Sequence, residues 1–402
     1  MYYRRMPIEV ESPEQLGYDS IRNNLSESSY TDAFFRDIEL DADPGASADP
    51  GAGADPGTDA NPGARLNLRD LVLCYGSHAG HEGLRELLAR DASMTAGNTS
   101  LKKEDVLLTI GAAGALFIIA TTLLEKDDEL IVVRPNYATN IETPRAIGAS
   151  IKYIDLHFEK GFALDIDTIN AAISPNTKYI SVTHPHNPTG ACLTEEQIRA
   201  LGRLAEEKRI YLLVDETYRD MVFGKQLPLA AITSPFIISV SSLSKTYGLP
   251  GLRTGWIICR DKQLMETFLA AKEQIHICGP VLDEELAYRY LLHRDRYFGR
   301  IRQDIAEKFA LVKSWMTTQE DFEWVEPRGG CVCFPRMRHP EKVDIDRFYQ
   351  ILLEKYGTYV GPGHWFEMPR HYMRIGFGWP AKEQLSEGLQ ALSKSLREAA
   401  RS

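Results

Sequence analysis

The chain has 402 residues, of which 44% are hydrophobic and 25% charged, and its formal net charge is −10 at pH 7. A chain of this length can bury a large core and still build a second domain. The net negative charge argues against nucleic acid or an anionic membrane as the main partner, so a phosphate-binding site would have to be local.

The N-terminal residues and the cysteines indicate a cytoplasmic protein. Residues 1–11 contain two arginines but lack the apolar stretch of a signal peptide, and the longest apolar run, residues 111–124, is too short to span a bilayer. The six cysteines are scattered rather than spaced as a disulfide framework. Cys331 and Cys333 are expected to pack on one face of a strand rather than to bind metal.

Residues 43–64 stand apart in composition. Turns of the form DPG or NPG repeat there at six-residue intervals, with almost nothing to bury. The repeat predicts a flexible surface insertion without a catalytic role, and a role in contacts stays open. It separates an N-terminal arm, residues 1–42, from a large domain predicted for residues 65–290 and a small C-terminal domain for residues 291–402.

After the insertion, short β-rich runs alternate with helical patterns. Two helical patterns cover residues 112–124 and 194–208, and the second opens with the capping box Thr194-Glu195-Glu196-Gln197. The alternation predicts an α/β fold with a mostly parallel sheet. The predicted strands cover residues 106–110, 129–133, 150–156, 179–183, 210–214, 236–240 and 256–259.

Polar residues follow three successive predicted strands. They are Asn187, Asp215 and Lys245, which are 28 and 30 residues apart, about one βαβ unit each. Because parallel strands end at one edge of a sheet and ligands bind there, one pocket should receive all three side chains. A carboxylate after an apolar strand, as at Asp215, needs a cationic or hydrogen-bonding partner, although a helix cap would explain this aspartate equally well.

The surroundings of Lys245 suggest covalent chemistry. Hydroxyl residues flank it, glycines follow, and Arg253 lies eight positions later. Such an amine beside a phosphate is suited to Schiff-base formation, whereas a solvated turn is the simple alternative for an isolated Ser-x-x-Lys. After the first predicted strand, Gly111-Ala112-Ala113 opens a helix, so backbone N–H groups would offer a seat for phosphate.

Four motifs occur in order along the chain: Asn187-Pro188-Thr189-Gly190, Asp215-x-x-Tyr218, Ser242-x-x-Lys245 with Arg253, and Arg374-Ile375-Gly376-Phe377. Together they resemble the class I and II aminotransferases, pyridoxal-phosphate enzymes of fold type I, over roughly residues 70–395. The stretch around Lys245 is also similar to that of the aminocyclopropane-carboxylate synthases. The resemblance implies pyridoxal 5′-phosphate as cofactor, a mostly parallel seven-stranded sheet in the large domain, and a smaller α+β C-terminal domain that closes over the substrate.

The resemblance implies roles for the residues at the strand ends. Lys245 would form the aldimine with the cofactor and then move a proton from the substrate α-carbon. Asp215 would pair with the pyridine nitrogen, and Asn187 and Tyr218 would hydrogen-bond the phenolic oxygen. Arg374 would clamp the substrate α-carboxylate in a bidentate pair, with Asn187 beside it.

The resemblance also implies how the cofactor is held and how the chain assembles. Tyr137 would stack on the ring. The neighbouring subunit's Tyr75 would reach the phosphate, which implies a homodimer with shared active sites. Ala113 replaces a hydroxyl residue that is common in the family, which shifts more of the phosphate binding to other groups. The implied phosphate ligands are Gly111, Ala112, Ala113, Ser242, Ser244, Arg253 and Tyr75.

Two departures from the family pattern bear on function. His184 and His186 precede Asn187 and share one strand face, but no acidic or cysteine partner lies nearby in sequence, so no metal is expected. In the N-terminal arm, where many family members have a glycine-containing segment that touches substrate, this chain has Glu27. Glu27 is predicted to meet a cationic group, which suggests a substrate with a basic side chain.

Three functional hypotheses follow. The first and favoured one is transamination between an L-amino acid and a 2-oxo acid. The second is a pyridoxal-phosphate-dependent lyase, cyclase, decarboxylase or oxidase acting on an amino acid, because the same chemistry at the α-carbon feeds all these outcomes. The third is the ligand-sensing module of a transcription regulator, which is disfavoured because no basic helix-turn-helix segment precedes residue 70.

Overall fold

The structure is a computed structural model that describes residues 3, 5–35, 38, 71–94 and 100–400. The insertion predicted at residues 43–64 lies outside these residues. The helices are α1 (Pro7–Val10), α2 (Pro13–Leu16), α3 (Glu82–Met94), α4 (Gly111–Leu123), α5 (Thr139–Ile147), α6 (Ile166–Ala172), α7 (Glu195–Lys208), α8 (Lys262–His276), α9 (Val281–Leu292), α10 (Arg294–Met316), α11 (Ile345–Gln350) and α12 (Lys382–Glu398). The strands are β1 (Asn23–Leu25), β2 (Val106–Ile110), β3 (Glu129–Arg134), β4 (Ser150–Asp155), β5 (Thr177–Thr183), β6 (Tyr211–Asp215), β7 (Ile237–Ser242), β8 (Thr254–Cys259), β9 (Phe322–Glu323), β10 (Val332–Cys333), β11 (Arg336–Met337), β12 (Thr358–Pro362) and β13 (Met373–Gly376).

A seven-stranded sheet with the order β2-β8-β7-β6-β5-β3-β4 forms the centre of the fold. Strand β8 runs antiparallel to β2 and β7, and the other neighbours are parallel. Every strand predicted for this region is present, with ends that shift by no more than two residues. The predicted α/β fold with a mostly parallel sheet is therefore confirmed.

The central strands are buried on both faces. In β6, Leu212 packs on one side with Leu201 of α7, whereas Leu213 packs on the other with Ile119 of α4 and Phe268 of α8. This arrangement explains why the strands read as continuous apolar runs rather than alternating ones. Helices on both faces hold the strands rigidly, which fixes the positions of the residues at their ends.

The capping box predicted at the start of α7 is present. Thr194 Oγ1 accepts a hydrogen bond from Gln197 N at 3.1 Å, and Gln197 Oε1 accepts one from Thr194 N at 2.9 Å. These bonds satisfy two backbone donors at the helix start. Helix α7 therefore begins at the residue after Thr194, as the sequence indicates.

A second, four-stranded sheet has the order β1-β12-β13-β10. Its edge strand β1 comes from the N-terminal arm and runs parallel to β12, with Asn23 opposite Thr358 and Leu25 opposite Val360. Strand β13 lies antiparallel to β12 and to β10. The sequence predicted no strand in the arm, so the arm's part in this sheet is new.

In the described part of the chain, no helix has both the length and the apolar character needed to cross a membrane. All six cysteines are free, and Cys259, Cys331 and Cys333 are buried.

Candidate active site

Three neighbouring strands carry the residues that the sequence singled out. Strands β5, β6 and β7 lie side by side, with Asn187 four residues beyond β5, Asp215 last in β6, and Lys245 three residues beyond β7. The loops that follow are tied to the adjacent strands: His184 N donates to the Asp215 carbonyl at 2.8 Å. The structure thus brings the three side chains to one edge of the sheet, where ligands bind in open α/β sheets.

Asp215 is buried and has one oxygen fixed. Its Oδ1 accepts hydrogen bonds from Thr217 N at 3.0 Å and Thr217 Oγ1 at 2.5 Å, and no described donor bonds Oδ2. Burial raises the pKa of Asp215, and the Thr217 donors oppose that shift. A cationic group opposite Oδ2 would keep the carboxylate ionised, and a protonated pyridine nitrogen is such a group.

Lys245 is partly buried at the same edge. Burial lowers the pKa of its amine, while the nearby carboxylate of Glu27 acts in the opposite direction. Its carbonyl accepts a hydrogen bond from Tyr30 N at 2.8 Å, which fixes the backbone that carries the side chain. A lysine with a lowered pKa presents more of the neutral amine, which is the form that attacks an aldehyde.

An anion cradle forms where β2 meets α4. Gly111 has φ +64°, and a Cβ there would lie 2.6 Å from Arg253 Nη2, so glycine is required beside the guanidinium. Gly111 N donates to the Arg253 carbonyl at 2.7 Å, and no side chain caps the start of α4. The backbone N–H groups of Ala112 and Ala113 in this first turn therefore remain available to a phosphate.

Ser242 and Ser244 are buried beside this edge of the sheet. Ser242 ends β7, and its Oγ accepts a hydrogen bond from Ser244 N at 3.4 Å. Their hydroxyl groups add donors to the same strand end as Lys245. Both were predicted from the sequence as phosphate ligands.

Arg374 reaches the site from β13 of the smaller sheet. Its Nη1 donates to Asn187 Oδ1 at 3.1 Å and its Nη2 donates to the Ser26 carbonyl at 2.7 Å. The guanidinium also lies 4.9 Å from the centre of the Phe366 ring. Arg374 is 3% exposed, and its Nε has no hydrogen-bond partner among the described residues. Burial lowers the pKa of Arg374, so a carboxylate ligand would be strongly favoured there.

Two predicted tyrosines line the site and a third does not. Tyr218 is buried, and burial raises the pKa of its hydroxyl, which therefore stays protonated and able to donate. Burial also raises the pKa of Tyr137, whereas Arg374 and Arg253 nearby act to lower it. Tyr75 is 79% exposed on the surface of the chain.

The N-terminal arm forms one wall of the site. Ala33 N donates to the Gly248 carbonyl at 2.8 Å, and the thiol of Cys331 donates to the Ser28 carbonyl at 3.3 Å. A Cβ at Gly376 would overlap the Glu27 carbonyl oxygen, so β13 approaches the arm backbone very closely. Burial raises the pKa of Glu27, while Lys245 and Arg374 lower it, which puts the Glu27 carboxylate near both cations.

Cys331 and Ser28 were missed by sequence reasoning. Cys331 is buried, and burial raises the pKa of its thiol to about 12, against the influence of Lys245 and Arg374. The sequence signal was the pair Gly329-Gly330 directly before Cys331, which marks a close approach of backbones. The thiol is therefore a neutral group beside the two cations.

His184 and His186 brace the loop that carries Asn187. His184 Nδ1 accepts from Leu193 N at 3.0 Å, and His186 Nδ1 bonds with Thr189 Oγ1 at 2.8 Å. Burial lowers the pKa of each histidine to about 4. Within the described ranges, no group of three or more His, Cys, Asp or Glu side chains is placed to hold a metal ion.

The donor set fits pyridoxal 5′-phosphate. A buried carboxylate with one open oxygen suits the ring nitrogen, and an amine with a lowered pKa suits the aldehyde. The glycine-lined cradle with Arg253 suits the phosphate. Each part of the cofactor thus has a chemically matched group in this chain.

Comparison with known proteins agrees with this fit. Residues 61–392 match the family model described as aminotransferase class I and II. Capreomycidine synthase from Streptomyces vinaceus is 31% identical over 83% of this chain and 84% of its own length. The crystal structure of a PLP-dependent aminotransferase from Streptococcus suis 89-1591 is 26% identical, with a TM-score of 0.84 over 100% of both chains. The structure of the PLP-dependent cyclase OrfR is 27% identical, with a TM-score of 0.82 over 99% of both chains.

Proposed function

Because the chain belongs to the class I and II aminotransferases, enzymes that use pyridoxal 5′-phosphate, we propose that it is a transaminase moving an amino group between an L-amino acid and a 2-oxo acid. The observation that carries this proposal is Lys245, a partly buried lysine with a lowered pKa on the same sheet edge as Asp215 and Asn187. An amine in this setting can bind a carbonyl cofactor and then exchange protons with the substrate.

The bound cofactor supplies an electron sink for the electron pair left at the substrate α-carbon. Thr217 holds one oxygen of Asp215, and a protonated ring nitrogen at the other would keep the carboxylate ionised against the burial that raises its pKa. Lys245 takes the proton from the α-carbon, since its lowered pKa makes the free amine available as a base. Tyr218, protonated at its hydroxyl, would hold the phenolic oxygen of the cofactor as a hydrogen-bond donor, with Asn187 as the second donor.

Substrate and cofactor are held by separate groups in this proposal. Arg374 pairs with the α-carboxylate, with Asn187 beside it, and Glu27 faces the substrate side chain. Tyr137 would hold the cofactor ring. The phosphate would be held by Gly111, Ala112, Ala113, Ser242, Ser244 and Arg253, and by the partner subunit's Tyr75.

A second candidate is a lyase or cyclase outcome. It is favoured by the similarity to capreomycidine synthase and to the cyclase OrfR. The same residues would remove the α-proton in both cases. In transamination the electron pair is finally captured by a proton, whereas in elimination or cyclisation it expels a leaving group from the β-carbon.

The decisive experiment incubates the holoenzyme with single amino acids, with and without a 2-oxo acid acceptor. A transaminase converts the 2-oxo acid acceptor into a new amino acid, and without the acceptor it cannot turn over continuously. Ammonia, carbon dioxide, peroxide or a cyclised product formed without acceptor would replace the transaminase proposal with the second candidate. Cyclisation is followed by mass spectrometry of the product.

A prior experiment tests the covalent role of Lys245. Borohydride should fix the cofactor to the wild-type chain, and Lys245→Ala should lose both fixation and turnover. The matched control is Lys225→Ala. It removes an exposed lysine that precedes Lys245 in the sequence, and it should keep both borohydride fixation and turnover. A colourless protein that takes up no pyridoxal phosphate would refute both candidate functions.

The proposed enzyme is a homodimer, and its exposed apolar surface supports this. A hydrogen bond of 2.6 Å between His78 Nδ1 and Glu273 Oε1 joins the segment of Tyr75 to the end of α8. Exposed apolar side chains of this extent are unusual on monomers. They are Val72 at 61%, Leu73 at 81%, Tyr75 at 79%, Ile275 at 51% and Ile277 at 43% exposure.

Subunit mixing tests the shared site. Tyr75→Ala and Lys245→Ala chains are unfolded together, refolded and assayed. If the partner subunit's Tyr75 serves each site, mixed dimers regain one intact site, and the mixture exceeds the summed activity of the separate variants. Activity equal to that sum, or a monomer by sedimentation, would contradict the shared site.

A further inference from the structure

A group of side chains on the arm and at the end of β13 combines carboxylates with aromatic rings. The rings of Tyr18 and Trp379 are nearly parallel, at 18°, with centroids 6.4 Å apart. Tyr18 OH donates to Glu14 Oε1 at 3.1 Å, and Trp379 Nε1 donates to Asp32 Oδ2 at 2.9 Å. We call Glu14, Tyr18, Glu27, Asp32 and Trp379 the acidic-aromatic cluster.

The acidic-aromatic cluster leads from the surface to the catalytic amine. Glu14, Tyr18 and Asp32 are exposed, whereas Glu27 is only partly so. Glu14 and Asp32 lie close enough to Glu27 to raise the pKa of its carboxyl, and Lys245 lies close enough to lower it. The Thr31 hydroxyl donates to the Trp379 carbonyl at 2.9 Å, which fastens the arm to the end of β13.

The charges of the cluster are unbalanced. Within the described residues, Glu27 forms no side-chain hydrogen bond or ion pair, and Glu14 and Asp32 accept hydrogen bonds from uncharged donors. The two cations near Glu27 are Lys245 and Arg374, and the proposed function uses both. Lys245 would be engaged by the cofactor, and Arg374, with its buried Nε unpartnered, would pair with the substrate carboxylate. A Glu27 carboxylate left without a cation in its partly desolvated position is unfavourable.

We propose that the acidic-aromatic cluster is the subsite for a positively charged substrate side chain, and that it favours a guanidinium over an ammonium group. Carboxylates match the forked N–H donors of a guanidinium, and aromatic faces attract its flat cationic plane. Glu27 accepts a hydrogen bond from the inner N–H of that guanidinium, while Glu14, Asp32 and the two rings surround its outer nitrogens. This inference rests on the proposed function, in which Arg374 holds the α-carboxylate.

The test measures amino acid binding to the holoenzyme through the change in cofactor absorption. L-arginine is compared with L-lysine and with L-citrulline, which keeps the shape of arginine but replaces the guanidinium with a neutral urea. Wild type should bind arginine at least about 10-fold more tightly than citrulline. Glu27→Gln should weaken arginine binding by about 10- to 100-fold, the range of a charged hydrogen bond, and leave citrulline nearly unchanged.

Two further variants guard against a folding artefact. Asp32→Asn, at an exposed position, should weaken arginine binding in the same direction and by less. Glu206→Gln, an exposed carboxylate on α7, removes the same charge elsewhere and should change nothing. All variants should keep borohydride-fixable cofactor, which separates loss of the subsite from loss of the fold.

The outcomes distinguish the two levels of the proposal. If neutral or acidic amino acids alter the cofactor spectrum and turn over, while arginine and lysine bind no more tightly than they do, the subsite is refuted and the proposed function stands. Equal arginine affinity in wild type and Glu27→Gln would likewise refute it. If no amino acid changes the spectrum, the proposed function fails and the subsite fails with it.

Discussion

Replacing Gly376 by alanine should displace the N-terminal arm from the active site. A Cβ at this position would overlap the Glu27 carbonyl oxygen and lie 3.4 Å from the Leu25 carbonyl oxygen. Strand β13 cannot retreat, because β12 and β10 flank it in the sheet. The arm must therefore move, and the Arg374 to Ser26 hydrogen bond of 2.7 Å moves with it.

The magnitude follows from these contacts. Adding a methyl group to a closely packed position costs about 1–3 kcal/mol of the free energy of unfolding. Losing the bond from the charged Arg374 to the Ser26 carbonyl, and shifting Glu27, should weaken amino acid binding by roughly 10-fold or more. Cofactor binding should change little, because the cradle at Gly111 and Arg253 lies on the other sheet.

Denaturant unfolding and spectral titration of the holoenzyme measure these two effects. The control is Gly299→Ala in α10, where a Cβ meets nothing within 4 Å. That change should raise the free energy of unfolding by about 0.5–1 kcal/mol, because alanine suits a helix interior better than glycine. Wild-type stability together with wild-type substrate affinity in Gly376→Ala would show that the arm does not form the wall described here.

Three further predictions concern the histidines, the substrate arginine and the phosphate cradle. Burial holds the pKa values of His184 and His186 near 4, so below pH 6.5 the unfolded chain binds protons that the folded chain does not. The free energy of unfolding should therefore fall from pH 6.5 towards pH 4 by up to about 3 kcal/mol for each histidine. Denaturant unfolding at several pH values measures this, and an unchanged pH dependence of stability in the double His→Asn variant would contradict it. Arg374→Lys keeps the charge but loses the forked donors, so spectral titration should show amino acid binding weakened by about 10- to 100-fold with cofactor content unchanged, and unweakened binding would remove Arg374 from its role. Gly111→Ala adds strain at φ +64° and a contact with Arg253, so cofactor loss on dialysis should be faster by roughly 10-fold, whereas equal retention would place the phosphate elsewhere.

The sheet, and the edge at which Asn187, Asp215 and Lys245 meet, were predictable from the sequence for a local reason. Strands β5, β6 and β7 are buried on both faces and therefore read as short apolar runs. Asn187, Asp215 and Lys245 lie at one edge because β5, β6 and β7 are parallel neighbours, although a helix separates only β5 from β6 and short 3₁₀ turns separate β6 from β7. The apolar pattern and the spacing of the strands were sufficient here, since each strand can be recognised from a few consecutive residues.

The arm and the acidic-aromatic cluster were not predictable in the same way. Strand β1 has three residues, two of them asparagine, and shows no apolar period. Its partner lies in residues 358–362, so the pairing depends on contacts across almost the whole chain. Nothing near Trp379 in sequence indicates that it lies beside Tyr18 and Asp32. Glu27 was found because it departs from a family pattern.

The pairing of β1 with β12 also bears on how the polypeptide matures as it leaves the ribosome. Asn23 and Thr358 lie 335 residues apart, and at roughly 5–20 residues per second their synthesis is separated by on the order of tens of seconds. The strands that carry Asp215 and Lys245 can associate during this interval, while the arm still lacks the strand against which it pairs. A nascent chain can thus bring Asp215 and Lys245 to one sheet edge before the arm pairs with β12, so the arm is the last part of the chain to take its place beside Arg374.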